Sequence, residues 1–271
     1  MSCTTRQWYT SDLTDAQWHQ IQVLLPPAKG RRTGRPRKYE QRAMLNAMPY
    51  LLRTGSQWRN LPHDFPTHGS VWEQFRRWRD NGTLETIHRA LRAQMRVQSG
   101  RKEAPSAAIL DSQSIKTTEG RGPKGFDAGK KVKGRKRHIL VDTDGLLLQG
   151  HVHATNIQER AGAKLLLQSL RFPAHRLRLI WADAGHWGRK FAAWVQENCG
   201  VVLDVVSRNE LVNRQKEHKG YVPLPRRWVV ERAFAWLGRC RRLSKGYEQN
   251  TRSSEAWILL AMTSLMVRRL T

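Results

Sequence analysis

Apolar positions before residue 98 recur at three- and four-residue spacing, whereas beyond residue 106 short unbroken apolar runs alternate with helical periodicity. In the first part Ser11 or Thr14 can cap a helix that runs to Leu25 and stops at Pro26-Pro27. A second helix is predicted over 40–53, closed by Gly55. Pro49 inside it lacks an amide proton, so a bend is expected there. Residues 57–61 form a short element and 64–69 a turn, after which Ser70 leads a helix over 71–80, closed by Asn81-Gly82. Two short helices about a turn, the second bearing Arg76, Arg77 and Arg79, resemble a helix-turn-helix. A plain helical bundle with solvated arginines has the same pattern.

The polar, glycine-containing stretch 98–106 reads as a linker. After it, 107–111 is a buried strand that ends on Asp111. Residues 138–141 and 146–152 flank Asp142-Thr143-Asp144-Gly145, a hairpin signature. A helix over 159–170, a strand over 178–183, a helix over 190–198, a strand over 201–206 and a helix over 228–242 follow. The order predicts an α/β layered domain with a mixed sheet. The expected organisation is a helical domain, helix-turn-helix-like in part, over 1–100, a linker over 101–106 and an α/β domain over 107–271 that ends in a buried helix.

Charge narrows the class of partner. Against 22 Asp and Glu stand 48 Lys and Arg, a formal net charge of +26. A polyanion relieves that self-repulsion, because basic groups that neutralise phosphates release condensed counterions. Nucleic acid is therefore the leading partner; an anionic membrane would call for a basic amphipathic helix with a clean apolar face. Cys3, Cys199 and Cys240 show no metal-ligand spacing and fit a reducing compartment. No signal-like segment and no membrane-length apolar run is present, so a cytoplasmic, nucleoid-associated protein is expected. Lys130, Lys131, Lys133, Arg135, Lys136 and Arg137 lie just before a predicted strand, as a segment able to guide DNA phosphates or as a solvated loop. The tryptophans at 72, 78, 181, 228, 236 and 257 fall at core-like spacings.

Asp111 and Asp183 each follow an apolar run directly, where α/β sheets present reactive groups. Glu231 lies on the margin of a helix whose apolar stripe is Val230, Ala233, Phe234 and Leu237, with small Ala235 and Gly238 on its own face. Converging carboxylates repel one another, and divalent metal removes the conflict: Mg²⁺, with Mn²⁺ as a substitute, takes oxygen ligands and leaves positions for water and phosphate. Two such ions suit phosphoryl transfer on a nucleic-acid backbone. Each acid also has a plainer reading, the aspartates as turn or cap residues and Glu231 as an ion-pair partner of Arg227 or Arg232, which are otherwise placed to steady a DNA phosphate beside it.

At these residues the chain closely resembles the insertion-sequence-five family of bacterial DDE transposases. The resemblance is carried by Ile109-Leu110-Asp111-Ser112-Gln113-Ser114-Ile115-Lys116, by Lys133-Gly134-Arg135-Lys136-Arg137-His138-Ile139-Leu140-Val141-Asp142, by Leu179-Ile180-Trp181-Ala182-Asp183, and by Arg227-Trp228-Val229-Val230-Glu231-Arg232. Leu13-Thr14-Asp15-Ala16-Gln17-Trp18 and Phe75-Arg76-Arg77-Trp78 look like the family's leading helical domain. The resemblance implies a ribonuclease H-like catalytic fold with Asp111 on its first strand, Asp183 on its fourth and Glu231 on the helix after the sheet. It also implies Mg²⁺-dependent cleavage at the ends of a mobile element, attack of the freed 3′ hydroxyl on target DNA, and a dimer or larger assembly on DNA. Where the family commonly has a tyrosine after the second aspartate, this chain has Ala184-Gly185-His186-Trp187. A transposase-derived regulator that binds DNA without cutting is the alternative.

Overall fold

The computed structural model describes residues 8–27, 38–170, 176–205 and 227–271. Six strands form one sheet: β1 (Ala107–Lys116), β2 (Gly125–Asp127), β3 (Val132–Asp142), β4 (Leu147–Ala154), β5 (Leu179–Ala182) and β6 (Val202–Val205). The order is β2-β3-β1-β5-β6, with β4 paired to β3 beyond β2. β1, β3 and β4 are antiparallel neighbours, while β5 and β6 run parallel to β1. Parallel neighbours need crossovers, and the helices α5 (Glu159–Gln168) and α6 (Arg189–Cys199) occupy the β4–β5 and β5–β6 connections. The β3–β4 turn forms as its sequence predicts: Asp142 Oδ1 accepts from the amides of Asp144 and Leu146, both at 2.9 Å, and Gly145 supplies φ 83°.

Two strands exceed their apolar signatures. β1 continues five residues past Asp111, to Lys116, so this acid stands within the strand rather than at its end. β3 begins at Val132, so Lys133, Arg135, Lys136 and Arg137, expected to lie just before a strand, are within it. The polar halves pair with each other, Ser112 with His138, Gln113 with Arg137 and Ser114 with Lys136. Backbone pairing is indifferent to side-chain polarity, so a ladder can run on after the hydrophobic pattern stops. The short strand β2 was not legible either, and it makes the Asp183 strand fifth in chain order instead of fourth.

On the helical side, Thr14 and Gln17 form a reciprocal capping box at the start of α1 (Asp15–Gln22). α2 (Gln41–Thr54) is continuous through the buried Pro49 and ends at Gly55, whose φ of 74° supplies the left-handed cap. α3 (His68–Asp80) and α4 (Thr83–Gln98) follow. The chain then turns through 99–106 without leaving the core behind. α7 (Arg227–Gly238) and α8 (Thr251–Leu270) lie in the same apolar cluster as the first four helices, together with Ile109, Ile139 and Val152 of the sheet. Trp257 on α8 is fully buried and stacks on Phe75 of α3 at 4.7 Å between ring centroids. Buried Arg96 of α4 meets Asp142 at 2.5 Å, and Arg101 of the expected linker meets Asp144 at 3.0 Å. The helices before residue 100 and the sheet after 106 therefore share one core. No helix among the described residues is long and apolar enough to cross a membrane.

Alternation assigns the sheet its two faces. Ile109, Ile139, Val141 and Val152 point into the cluster shared with α1–α4, α7 and α8. Ala108, Leu110, Leu140 and Ile180 point the other way, toward α5 and α6.

Candidate active site

Asp111 shares the parity of Ile109, so its side chain leaves β1 on the α7 side. It is buried, and its Oδ1 accepts the Ser112 amide at 2.6 Å. Burial, then the charge of Asp183, pushes its carboxyl up to about 6. Asp183 follows β5 directly and opens a short 3-10 turn, Ala184–His186. Burial pushes its carboxyl up, but the bond from His186 Nδ1 at 2.6 Å and the charges of His186 and Arg227 outweigh that and hold it below the usual range. The two aspartates thus sit close enough to repel each other.

Glu231 projects from α7 and is 56% exposed, with Oε1 at 3.1 Å from Arg227 Nε one helical turn back. The charge of Arg227 also lowers both Asp111 and Asp183. One guanidinium therefore faces all three acids. The three carboxylates are not drawn into mutual ligand range: among the described residues the group of possible ligands lying within 4.8 Å of one another is His138, Glu159 and His186. Arg227 holds Glu231 outward in this arrangement.

The basic residues divide into two sets. Lys130, Lys131 and Lys133 are exposed. Arg135, Lys136 and Arg137, expected to meet DNA, are buried instead. Arg135 donates to the carbonyls of Pro123, Glu248 and Gln249, and Arg137 to Gln113 Oε1 and the Leu243 carbonyl. Lys136 pairs with Asp127 at 3.5 Å and Glu159 at 3.1 Å. Their donors are occupied within the chain, because every second strand residue must face the interior and burial of a cation requires partners. Arg79 is likewise occupied, bonding Ser253 of α8 at 2.7 Å and Asp80 at 2.9 Å. Arg76 is exposed but forked on Glu73, and Arg77 is exposed beside Lys38 and Tyr39. Arg232 donates to the Asp144 carbonyl at 2.9 Å and lies over the rings of Trp228 and Trp236. Trp72 and Trp228 are exposed, at 46% and 55%, against the expectation that they belong to the core. The basic stretch 29–37 lies outside the described residues.

Sequence reasoning missed a buried polar cluster on the opposite face. Ser112, one residue on from Asp111, bonds Glu159 Oε2 at 2.5 Å, and Lys130 and Lys136 reach Glu159 Oε1 at 3.2 and 3.1 Å. Burial raises the Glu159 carboxyl, but Ser112 and the lysines outweigh it and bring it down to about 2. His138, His153 and His186 gather beside it; the rings of His138 and His153 stack at 5.0 Å. The available signals were a histidine three residues after Asp183 and the period-two spacing of His151 and His153.

With this geometry in view, comparison with known proteins places the chain among the DDE transposases: the transposase DDE domain model matches residues 102–266, more than half of the sequence, and the chain belongs to that family. A second model, for transposases of the IS4/5 family, matches residues 13–88 and identifies the group within it. The chain is 34% identical over 108 residues to the "Insertion element IS402 uncharacterized 16.2 kDa protein" of Burkholderia cepacia, covering 38% of this chain and 72% of that one. It is 32% identical over 76 residues to "Uncharacterized protein y4sN" of Sinorhizobium fredii (strain NBRC 101917 / NGR234), covering 28% and 58%. A solved structure, the Mos1 mariner paired end complex with Mn, aligns over 89% of this chain and 80% of its own at 11% identity and a TM-score of 0.26.

Proposed function

We propose that this transposase is an active one, cleaving DNA at the ends of its element and joining the freed 3′ ends to target DNA through Asp111, Asp183 and Glu231. The observation that carries the reading is the crowding of a buried and a half-buried aspartate, with Asp111 raised to about 6 beside Asp183 and a guanidinium facing both. Such a pair is poorly stable as two anions without a cation, which fits a site for divalent metal. Asp111, Asp183 and Glu231 would hold Mg²⁺ or Mn²⁺, two ions in the full site, which when bound polarise phosphate and activate the attacking oxygen. The chain's own groups do the rest. His186 fixes the Asp183 carboxylate, the β1 backbone fixes Asp111 through the Ser112 amide, and Arg227, once released from Glu231, is free to meet a phosphate.

The sheet order, with an antiparallel β1–β3–β4 half and a parallel β1–β5–β6 half, supports the ribonuclease H-like reading. The α3 face with Arg76 and Arg77 and the exposed Lys130, Lys131 and Lys133 are assigned to DNA backbone contacts, with α2 and α3 in a helix-turn-helix-like role. Two element ends must be brought together, so the assembly on DNA is at least a dimer. Work on DNA places the protein on the nucleoid, in the cytoplasm.

The test is cleavage of element-end DNA in Mg²⁺ by the wild type and by Asp183→Asn. The expected result is at least a thousandfold loss of cleavage with DNA binding retained. Binding without cleavage by both proteins would establish the regulator reading instead.

A further inference from the structure

Apart from His186, which holds Asp183, the polar cluster on the α5 side of the sheet takes no part in the steps above, and its chemistry points to a ligand. His138 and His186 are fully buried, and the Nε2 atoms of His138, His153 and His186 have no hydrogen-bond partner. Buried polar atoms are nearly always satisfied, so three orphaned ring nitrogens side by side call for an explanation. Two of the rings are set as metal ligands are. His186 Nδ1 lies 2.6 Å from Asp183 Oδ1 and His153 Nδ1 lies 2.8 Å from the Ala154 carbonyl. A carboxylate and a carbonyl only accept, so each Nδ1 is the donor there and each Nε2 is the nitrogen left to face a ligand. Glu159 Oε2 stands 3.7 Å from His138 Nε2, and one ligand atom from each of His138, Glu159 and His186 lies within 4.8 Å of the others.

The helix opposite makes room for this convergence. A Cβ on Gly162 would fall 2.2 Å from His153 Nε2 and 2.4 Å from His138 Nε2, so only glycine at this position lets both rings pack this close to the helix. Tetrahedral ligands about 2.0–2.1 Å from an ion are about 3.3 Å apart, so the side chains need to close by no more than about 1.5 Å.

We infer that His138, His186 and Glu159 form a second metal site, for a transition ion of the zinc class, with His153 Nε2 as the nearest further donor. Imidazole nitrogen suits such an ion and not Mg²⁺, and Lys130 and Lys136 beside Glu159 weaken the site for a hard cation held by carboxylate alone. The site is separate from the proposed DNA-cleaving centre. Asp111 leaves β1 toward α7, while Ser112 and His138 face α5; the two centres meet through the Asp183–His186 bond and through Ser112, whose amide bonds Asp111 and whose hydroxyl bonds Glu159. An ion here would lock the carboxylate of Asp183 in place through its histidine. The inference does not depend on cleavage activity.

The experiment is titration of the full chain, stripped with chelator, with Co²⁺ and Zn²⁺ in the presence of excess Mg²⁺. One equivalent of Co²⁺ should bind with intense visible bands of four-coordinate geometry, and Zn²⁺ should displace it. His138→Ala and His186→Ala should each weaken uptake at least a hundredfold, while Asp111→Asn should retain it. Equal uptake by the histidine variants overturns the inference, as does loss in Asp111→Asn, which would place the ion in the carboxylate centre. X-ray absorption of the zinc-loaded wild type needs no variant to fold: nitrogen shells from imidazole at about 2.0–2.1 Å support the site, and an all-oxygen shell overturns it.

Discussion

Adjacent residues of β1 and β3 look into two unlike environments. Ile109, Ile139 and Val141 face an apolar layer built by helices from both ends of the chain, closed over Trp257, Phe75 and Leu91. One residue away, Leu110 and Leu140 face a much smaller cluster under α5 and α6, which gives way along the same strands to Ser112, His138 and Lys136. The first face carries stability because most of what it buries is apolar area. The second is polar along half its length, and its buried polar atoms are fixed by specific bonds and tolerate little displacement. The acids proposed for DNA cleavage stand where the first face ends, on backbone that the large core holds rigid.

The largest way to break this contrast is to hollow the first face. Trp257 is fully buried against Phe75 and Trp58, with the Arg242 guanidinium 4.6 Å from its ring. Trp257→Ala should cost about 3–5 kcal/mol of unfolding free energy, measured by denaturant titration. Since helices from before residue 100 and strands from after 106 share that cluster, the loss should appear as one shifted transition. A separate early transition of the helices, with the sheet intact, would show two independent cores and undo the comparison.

A second test separates exposed from buried cations within one strand segment. Lys130, Lys131 and Lys133 are exposed, with Lys130 alone of them on a carboxylate, that of Glu159, and can reach phosphates, whereas Arg135, Lys136 and Arg137 are buried on carbonyls and carboxylates of the chain itself. Changing the three exposed lysines to Gln should reduce the slope of log binding constant against log salt by about 2–3, near 0.9 for each phosphate left without its cation. That amounts to about 2 kcal/mol of affinity between 50 and 200 mM salt. Arg137→Gln should leave the slope unchanged and lower stability, since it strands Gln113 and the Leu243 carbonyl. The reverse pattern would mean that the buried set reaches DNA.

How much of this could be read from the residues follows the same division. Apolar periodicity placed α2, α6 and the β3–β4 turn to within a few residues, because apolar burial on either face and turn chemistry both write directly into composition. The positions of Asp111 and Asp183 were legible as acids after apolar runs, though Asp111 proved to lie inside its strand. The polar part of the second face was not legible. Ser112 to Lys116 and Val132 to Arg137 form their ladder through backbone groups that every residue has, so their strand character left no hydrophobic trace. The convergence of His138, Glu159 and His186 depends on bringing β3, α5 and the turn after β5 together, and no local spacing encodes that. Trp72 and Trp228 misled for the opposite reason: helical spacing fixes which residues share a side of a helix, and not whether a partner covers that side.

The smallest expected effect concerns a histidine of the helical layer, and it tests whether that layer tolerates charge. His88 on α4 is buried, and its Nε2 has no partner. Burial, with the Arg92 charge adding to it, lowers its imidazole to about 3 from the usual 6.5. Glu85, Arg89 and Arg92 flank it on its own helix and Glu255 faces it from α8. Above pH 6.5 His88 is neutral whether the chain is folded or not, and its contribution is fully present. As pH falls below 6.5 the unfolded chain takes up a proton that the folded chain refuses, so stability declines until the folded value near 3 is reached. For one such group the loss is about 1.4 kcal/mol by pH 5.5. His88→Gln removes the group, so acid unfolding of the variant and the wild type should diverge by that amount at pH 5.5 after normalisation at pH 7.5. Other histidines cancel in the difference. Parallel curves would mean that His88 is protonated in the folded protein, with Glu85 or Glu255 as its counter-ion, and that the helical layer holds a charge where burial argues for none.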